Sequence, residues 1–395
     1  MRRDDLCEPV RRRLKRYPPP YAAHYGVVPL PPPKAPIALL TVRPTHDRAV
    51  AALGRAEALA STLADRFFIS RILPRREAVS SSAIEGTHST LDELLELEET
   101  AGEPGTEAAA QVREYALALD AWIPRAHREG SRIFSLDLIR GLHRAVMRGA
   151  TDYKDVPGEL RSVVVWIGGR DIAYSTYNPA PPADVPPSLD DTLDYLLADD
   201  MHTMQQSLFT RMAVAHAHFE AVHPFRDGNG RVGRLLLPLM MAAEGHVPLY
   251  LSPFIEANKP AYYAALRQAQ QRLDWLPMVA FVADAVAATV DELEATSRAL
   301  AELGAIWRRR RSFRSGSGSL RALDVVPHYP VLTVHRLAEV LQISHPAAAQ
   351  AVIQLVQAGI LQERTGYRRN RVFAAAEALS VINRPFGEAP ILPPG

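Results

Sequence analysis

Apolar residues recur at three- and four-residue spacing over most of the chain, the period of a helix with one buried face. Leu53, Ala56, Leu59, Ala60 and Leu63 carry that period through 46–73. A second helix is predicted from Arg75 to Glu85, stopping at Gly86, and a third over LDELLELEET, ending near Gly102. Further helices are predicted at 107–127, 135–148, 188–198, 204–221, 230–244, 259–273 and 275–304. Between 160 and 180 the period changes. RSVVVWIGGRDIAYSTY has two β-prone runs separated by GGRD, which reads as a hairpin.

The two ends read differently. Residues 1–45 are rich in proline and arginine, have no helical period, and read as an extended arm. RRRRSFRSGSGSLR, residues 308–321, has the glycine and serine of a flexible linker. After it, TVHRLAEVLQISHPAAAQAVIQLVQAGILQERTGYRRNRVF runs helix, turn, helix and two short strands, the order of a winged helix.

Composition changes this picture little. A chain of 395 residues, 47% hydrophobic and 23% charged, has room for two or three domains with real cores. A net charge of +1 gives no chain-wide case for nucleic acid or membrane. The single cysteine, Cys7, excludes a disulfide framework or cysteine zinc site and fits a reducing cytoplasm. No apolar segment follows the basic N-terminus, and the run Leu235–Ala243 is too short to span a bilayer, so a cytoplasmic protein is the expectation.

The chemistry concentrates in HPFRDGNGRVGR, His223 to Arg234. Pro224 ends the helix before it, because the residue preceding a proline is pushed out of the helical region. Phe225 is the apolar plug of the loop. Gly228 and Gly230 allow backbone conformations closed to other residues, and a new helix starts near Gly230. A glycine-rich loop entering a helix N-terminus favours phosphate. Arg231 and Arg234, three apart on one face, suit phosphate oxygens. Asp227 offers a hard oxygen to a magnesium ion, and His223 a group that titrates near neutrality.

The loop matches HPFx(D/E)GNGRxxR position for position, the signature of the Fic family. SSSAIEGTHST (80–90), PGELRSVVVWIGG (157–169), HAHFEAVHPF (216–225) and SHPAAAQAVIQLVQAGILQERTGYRRNRV (344–372) resemble the long bacterial members in their usual order, over roughly residues 35–380. The resemblance implies a mainly α fold, a Fic-type helical core with a small β-hairpin flap, plus a C-terminal winged helix. It places an N-terminal helical region at 46–105, a core at 106–304 with its flap at 160–180, a linker at 305–321 and the winged helix at 322–395.

It also implies transfer of AMP from ATP to a Ser, Thr or Tyr hydroxyl of a target protein, with Mg2+ or Mn2+. By that analogy His223 is the general base and Asp227 holds the metal. Asn229 with the Gly228 and Gly230 amides holds the α-phosphate region, and Arg231 and Arg234 neutralise the departing phosphates. Ser81, Glu85 and Gly86 resemble the inhibitory motif (S/T)xxxE(G/N), in which Glu85 pairs with Arg234. A glutamate at a helix end is otherwise an ordinary surface residue. The flap would present a strand edge to the target. Asn258, Tyr262 and Tyr263 fall where the family places adenosine contacts, although core packing accounts for either tyrosine as well.

Two rivals remain beside this reading. His216, His218 and His223 suggest a hydrolase metal site, but side chains two apart on a helix face different ways. The winged helix, with Ser344 as helix cap and Arg364, Arg368, Arg369 and Arg371 in its wing, suggests a DNA-binding regulator with a vestigial core. Its second helix is poor in base-reading side chains, so a protein-contacting module is favoured. The same catalytic loop can also work in reverse, removing AMP, or transfer another phosphate-containing group. The resemblance further allows self-modification and a homodimer, with no interface readable.

Overall fold

The computed structural model describes residues 1–62, 71–100, 106–197, 205–366 and 371–394. Its elements in chain order are α1 (Glu8–Arg11), β1 (Leu14–Arg16), β2 (Tyr25–Val27), α2 (Arg43–Thr62), α3 (Leu73–Ile84), α4 (Leu91–Glu99), α5 (Glu107–Glu129), α6 (Leu136–Val146), α7 (Val185–Leu197), α8 (Leu208–Val222), α9 (Asn229–Ala243), α10 (Ser252–Ala257), α11 (Lys259–Arg267), α12 (Leu276–Arg310), α13 (Gly318–Val325), β3 (Val331–Thr333), α14 (Val334–Leu341), α15 (His345–Gln357), β4 (Gln362–Glu363), β5 (Val372–Ala374) and α16 (Ala376–Asn383). The fold is mainly α.

Polar caps set the helix starts. Thr90 accepts from the Glu93 N–H while the Glu93 carboxylate returns to the Thr90 N–H, a full capping box for α4. Thr106, Ser135, Ser207, Ser317, Thr333 and Ser344 each cap a helix through their hydroxyls.

α8 and α9 form the centre. Every residue of α8 is buried, as is nearly all of α9, so the polar side chains they carry must find partners inside the core. The predicted catalytic loop joins these two helices and is therefore held from both ends. Around them pack α2, α3, α5, α6, α7 and the first half of α12. The second half of α12 leaves this core: Leu293, Leu300, Leu303 and Trp307 enter a second cluster with α13–α16. There β3, β5 and β4 form an antiparallel sheet in that order, pairing Leu332 with Phe373 and Glu363 with Phe373. Two helices and this sheet make the winged helix.

The structure departs from the pattern reading at several points. The arm is not a free extended segment. β1 and β2 pair, Leu6, Val10, Tyr17, Val27 and Val28 are buried, and Val27 bridges Pro179. Burial of five side chains outweighs the missing helical period. Of the glycine-serine stretch, α12 takes residues up to Arg310 and α13 starts at Gly318, leaving 311–317 outside helices. The hairpin at 160–180 is one antiparallel bridge, Ile167 with Tyr177. The tail of the 259–273 helix widens into a π turn at Gln268–Arg272. α10 and α16 were too short to show a period. The stretches 63–70 and 198–204, with Arg368 and Arg369, lie outside the described residues. Among the described residues no helix is long and apolar enough to cross a membrane.

Candidate active site

The loop is built by a forced stop. Val222 ends α8, and His223 closes it in the left-handed region, φ 50° and ψ 61°. A non-glycine residue is seldom found there, and such a backbone persists only where its surroundings hold it. Here the holder is Arg161, 3% exposed. Its guanidinium donates to the carbonyls of His223 (2.8 Å), Ala180 (2.7 Å), Val163 (3.2 Å) and Val222 (3.4 Å). Its N–H donates to Pro224 O at 2.9 Å. Burial lowers even this guanidinium to about 10. Arg161 thus ties the catalytic loop to the flap. It was part of the PGELRS resemblance, but its role needed the fold.

His143 makes the other wall. Its Nδ1 accepts from the Gly158 N–H at 2.7 Å, so Nε2 carries the proton and donates to Asp227 O at 3.0 Å. Its ring stacks on Phe225 at 3.7 Å, with planes 9° apart. Phe225 is fully buried, the plug the sequence suggested. Gly228 has φ 79°, and a Cβ there would meet Met147 Sδ at 2.8 Å, so this glycine is required twice over.

The remaining loop residues divide. Asn229 spends its side chain on the loop itself: Oδ1 accepts from Phe225 N at 2.8 Å and Nδ2 donates to Phe225 O at 2.9 Å. It shapes the cradle rather than facing it. Asp227 is the exposed carboxylate, 65% accessible, with Oδ1 taking the Gly228 N–H at 2.6 Å. The two arginines do not share a face. Arg231 turns to Val146 O and Met147 Sδ, with Asp227 Oδ2 at 3.8 Å. Arg234 enters the cleft.

Arg234 is 1% exposed and fully engaged by α3. It donates through Nε to Ser81 Oγ (2.9 Å) and through Nη2 to Ser81 O (2.9 Å) and Glu85 Oε1 (2.6 Å). Burial alone would raise the Glu85 carboxyl, but the charge and hydrogen bond of Arg234, with the charge of Arg231, outweigh it and hold it below its ordinary value. Gly86, φ 87°, turns the chain away immediately after. Ser81 and Glu85 therefore meet the arginine 153 and 149 positions away, and the pairing of Glu85 with Arg234 is the one the motif implied.

A cleft of about 340 Å³ opens beside this pair. Glu85, Glu220, His223, Gly230 and Arg234 line it, with Ile167 and Thr176 of the flap and Tyr262, Tyr263, Leu266 and Gln270. Burial, with Arg161 beside it, lowers the His223 imidazole to about 4, so it is neutral at physiological pH. Tyr263 is 41% exposed and presents a ring to the cleft. Tyr262 is buried. His216 Nδ1 faces Gly233 O at 3.0 Å and must carry the proton, so Nε2 accepts from Tyr262 OH at 2.7 Å. His218 points elsewhere, to Thr192 Oγ1 at 2.8 Å. These histidines serve packing, not a shared metal. Asn258 is misplaced as a cleft residue: its amide caps Phe254 O at 2.9 Å, and Gln270 stands in the cleft instead. Glu220 lies within the HAHFEAVHPF resemblance but was given no role there, and Gln270 belongs to no motif with a recognised spacing.

A neutral histidine, a glycine-bent loop entering a helix N-terminus and an arginine paired with a carboxylate meet at this cleft. Residues 133–241 match the Fic/DOC family and residues 44–121 its N-terminal region. In these two stretches the chain is similar to the Fic/DOC family. The protein adenylyltransferase fic-1 of Caenorhabditis briggsae is 36% identical over 149 residues, 38% of this chain and 26% of that protein. The protein adenylyltransferase Fic of Culex quinquefasciatus is 28% identical over 316 residues, 71% of this chain and 60% of that protein. The chain thus spans less than two thirds of these curated relatives. A Fic family protein from Desulfovibrio desulfuricans G20 shares the fold, with a TM-score of 0.51 over 87% of this chain and 98% of the other at 20% identity.

Proposed function

We propose that this chain is a protein adenylyltransferase, moving AMP from ATP to a hydroxyl side chain of a target protein, and that Glu85 restrains it. The observation that carries the reading is the cleft where neutral His223, the first turn of α9 and Arg234 converge. His223 takes the proton of the target hydroxyl, whose oxygen attacks the α-phosphorus. The bond from that phosphorus to the bridging oxygen breaks, and pyrophosphate leaves. The free N–H groups of the first turn of α9 and the Arg234 guanidinium receive the developing negative charge. Asp227 is the residue suited to a magnesium ion riding on the phosphates. Its Oδ2 is unoccupied by a hydrogen bond at the mouth of the cradle, and one carboxylate plus phosphate oxygens is a usual magnesium set. That ion supplies charge neutralisation.

With Glu85 on Arg234, the guanidinium is not available to phosphate, and an ATP in the cleft lacks its clamp. The bridge at Ile167 and Tyr177 places the flap beside the cleft, where a target strand can add to its edge. The winged helix fits a protein-contacting module. α15 carries no lysine or arginine and exposes Ile353 and Val356, and the wing's Arg364 is paired with Asp92 at 2.7 Å. The test is intact-mass spectrometry of the Glu85→Gly chain incubated with ATP and magnesium, alone and with lysate proteins. Gain of AMP moieties that requires His223 supports the reading. Their absence from the chain and from every lysate protein overturns it.

A further inference from the structure

Glu85 reaches Arg234 only while α3 stays seated, and other elements do the seating. No side chain caps the start of α3, where Ile72 stands in helical backbone. Its charged residues reach in two directions. Glu77 turns to the catalytic body, accepting from the Ser252 N–H at 2.8 Å and from Tyr115 OH at 3.2 Å. Arg75 donates to Asp120 of α5 at 2.6 Å, but also to Glu98 of α4 at 2.9 Å. Arg76 turns to the other side, donating to Glu292 of α12 at 3.0 Å and to the Arg384 carbonyl, just past α16, at 3.1 Å.

That other side leads to the winged helix. Glu292 is shared: Oε1 takes Arg76, and Oε2 takes Arg384 at 2.8 Å. Arg384 is fixed in turn by Thr296 Oγ1 at 2.8 Å and Val381 O at 2.7 Å. Glu99, at the end of α4 with its side chain 2% exposed, is shared in the same way. It accepts from Arg71, just before α3, and from Arg336 of α14, both at 3.1 Å, with Thr333 Oγ1 at 3.4 Å. At the start of α4, Asp92 takes Arg364 of the wing at 2.7 Å and Asn383 of α16 at 2.6 Å. Apolar contacts follow the same path. Ile72, Leu91 and Leu95 lie in the apolar cluster of the winged helix, and Val79 of α3 packs against it.

We propose that the winged helix is the outer half of the brake: docked on α4 and the start of α3, it holds α3 where Glu85 meets Arg234, and undocking it frees the arginine. This rests on the reading of Glu85 as a restraint on adenylyl transfer. Glu99 and Glu292 each join an arginine on the brake side to an arginine on the winged-helix side. Opening the seam leaves each carboxylate with one guanidinium fewer in a site shielded from water, so the seam has a closing energy and one closed register. Arg76, Ser81 and Glu85 belong to one helix and its cap, and a helix moves as a body, so a shift at its start is felt at Arg234.

The experiment is hydrogen exchange read by mass spectrometry on the full chain, native and Arg336→Glu, beside AMP labelling from ATP with magnesium. The new carboxylate faces buried Glu99 and is repelled, while Leu337 and Leu341 keep α14 on its own core. Arg364→Glu, opposite Asp92 and Glu96 on the rim of the seam, tests the same contact without touching the interior. Exchange across 73–85 is expected to quicken at least about fivefold in Arg336→Glu and less in Arg364→Glu, with 208–222 and 229–243 unchanged, and labelling to rise with it. Added to Glu85→Gly, either substitution is expected to change labelling less than about twofold, because the brake is already off. Unchanged exchange across 73–85 in both variants overturns the proposal. So does a labelling rise as large beside Glu85→Gly as in the native chain, or no rise where Glu85→Gly alone gives one. If Glu85→Gly labels nothing, the adenylyl-transfer reading fails instead, and exchange alone decides whether the winged helix holds α3.

Discussion

Replacing Glu85 by glycine removes one of the three bonds that hold Arg234 and leaves those to Ser81 in place. The pair is short, at 2.6 Å, and shielded on the arginine side, where exposure is 1%, but its carboxylate is 33% exposed. A charge-assisted bond of this kind contributes about 2–3 kcal/mol, discounted from the fully buried case for the wetter partner. If that energy separates the locked from the competent arginine, the competent fraction in the native chain is about one in 30 to one in 150. Glu85→Gly is therefore expected to raise labelling from ATP carrying a radioactive α-phosphate by about 30- to 150-fold. Labelling is expected to vanish when His223→Ala is added. A folded Glu85→Gly chain whose labelling rate equals that of the native chain, with any substrate that the native chain labels, refutes the reasoning. The sign of the pH dependence follows from the depressed Glu85 carboxyl. The pair contributes fully above the ordinary glutamate value and is lost only as pH falls through the lower folded value. Between neutrality and mild alkali, pH is not expected to release the brake.

The other predictions concern the frame around that pair. Asn229→Ala removes both bonds to the Phe225 backbone, and is expected to cost about 1–3 kcal/mol of stability and lower Glu85→Gly labelling at least about tenfold, checked by melting and by rate. Glu220 has a raised folded value, so the native chain loses stability relative to Glu220→Gln as pH climbs from the ordinary glutamate value to about 8; the melting-temperature difference should grow over that interval and then level. Glu292→Ala removes the carboxylate shared by half-buried Arg76, in α3, and buried Arg384, and is expected to lower stability by about 2–3 kcal/mol and speed hydrogen exchange across 73–85, with a rise in basal labelling. The winged helix is expected to retard no duplex DNA at physiological salt in an electrophoretic assay, because its wing arginines Arg364 and Arg371 already face Asp92 and Glu363.

How much of this was legible in the sequence depended on the distance over which a residue acts. The shape of the loop at 223–234 was legible because its parts lie within twelve residues and each obeys a local rule: proline stops α8, glycine permits the turn at 228, and the helix N-terminus follows. The helices with a long apolar stripe were legible for the same reason. Ser81, Glu85 and Gly86 were legible only through the family's motif, since nothing local says that Glu85 reaches a guanidinium 149 positions away. Arg161 carried only a family resemblance, and His143 and Gln270 no signal at all. Arg161 and His143 work by meeting segments far off in the chain, Arg161 the end of α8 and His143 the carbonyl of Asp227, and Gln270 lines a cleft built from distant segments. The same logic explains the misplacements. Asn258 satisfies a helix end four residues behind it, a local demand that outcompetes any reach toward nucleotide. Arg231 shares its spacing with Arg234 but not its destination, because Met147 and Val146 hold it on the side away from the cleft. Spacing on a helix fixes which residues can be neighbours. What each side chain does is settled by the elements brought against it, and here those elements are α3 with its carboxylate and the flap held by one arginine.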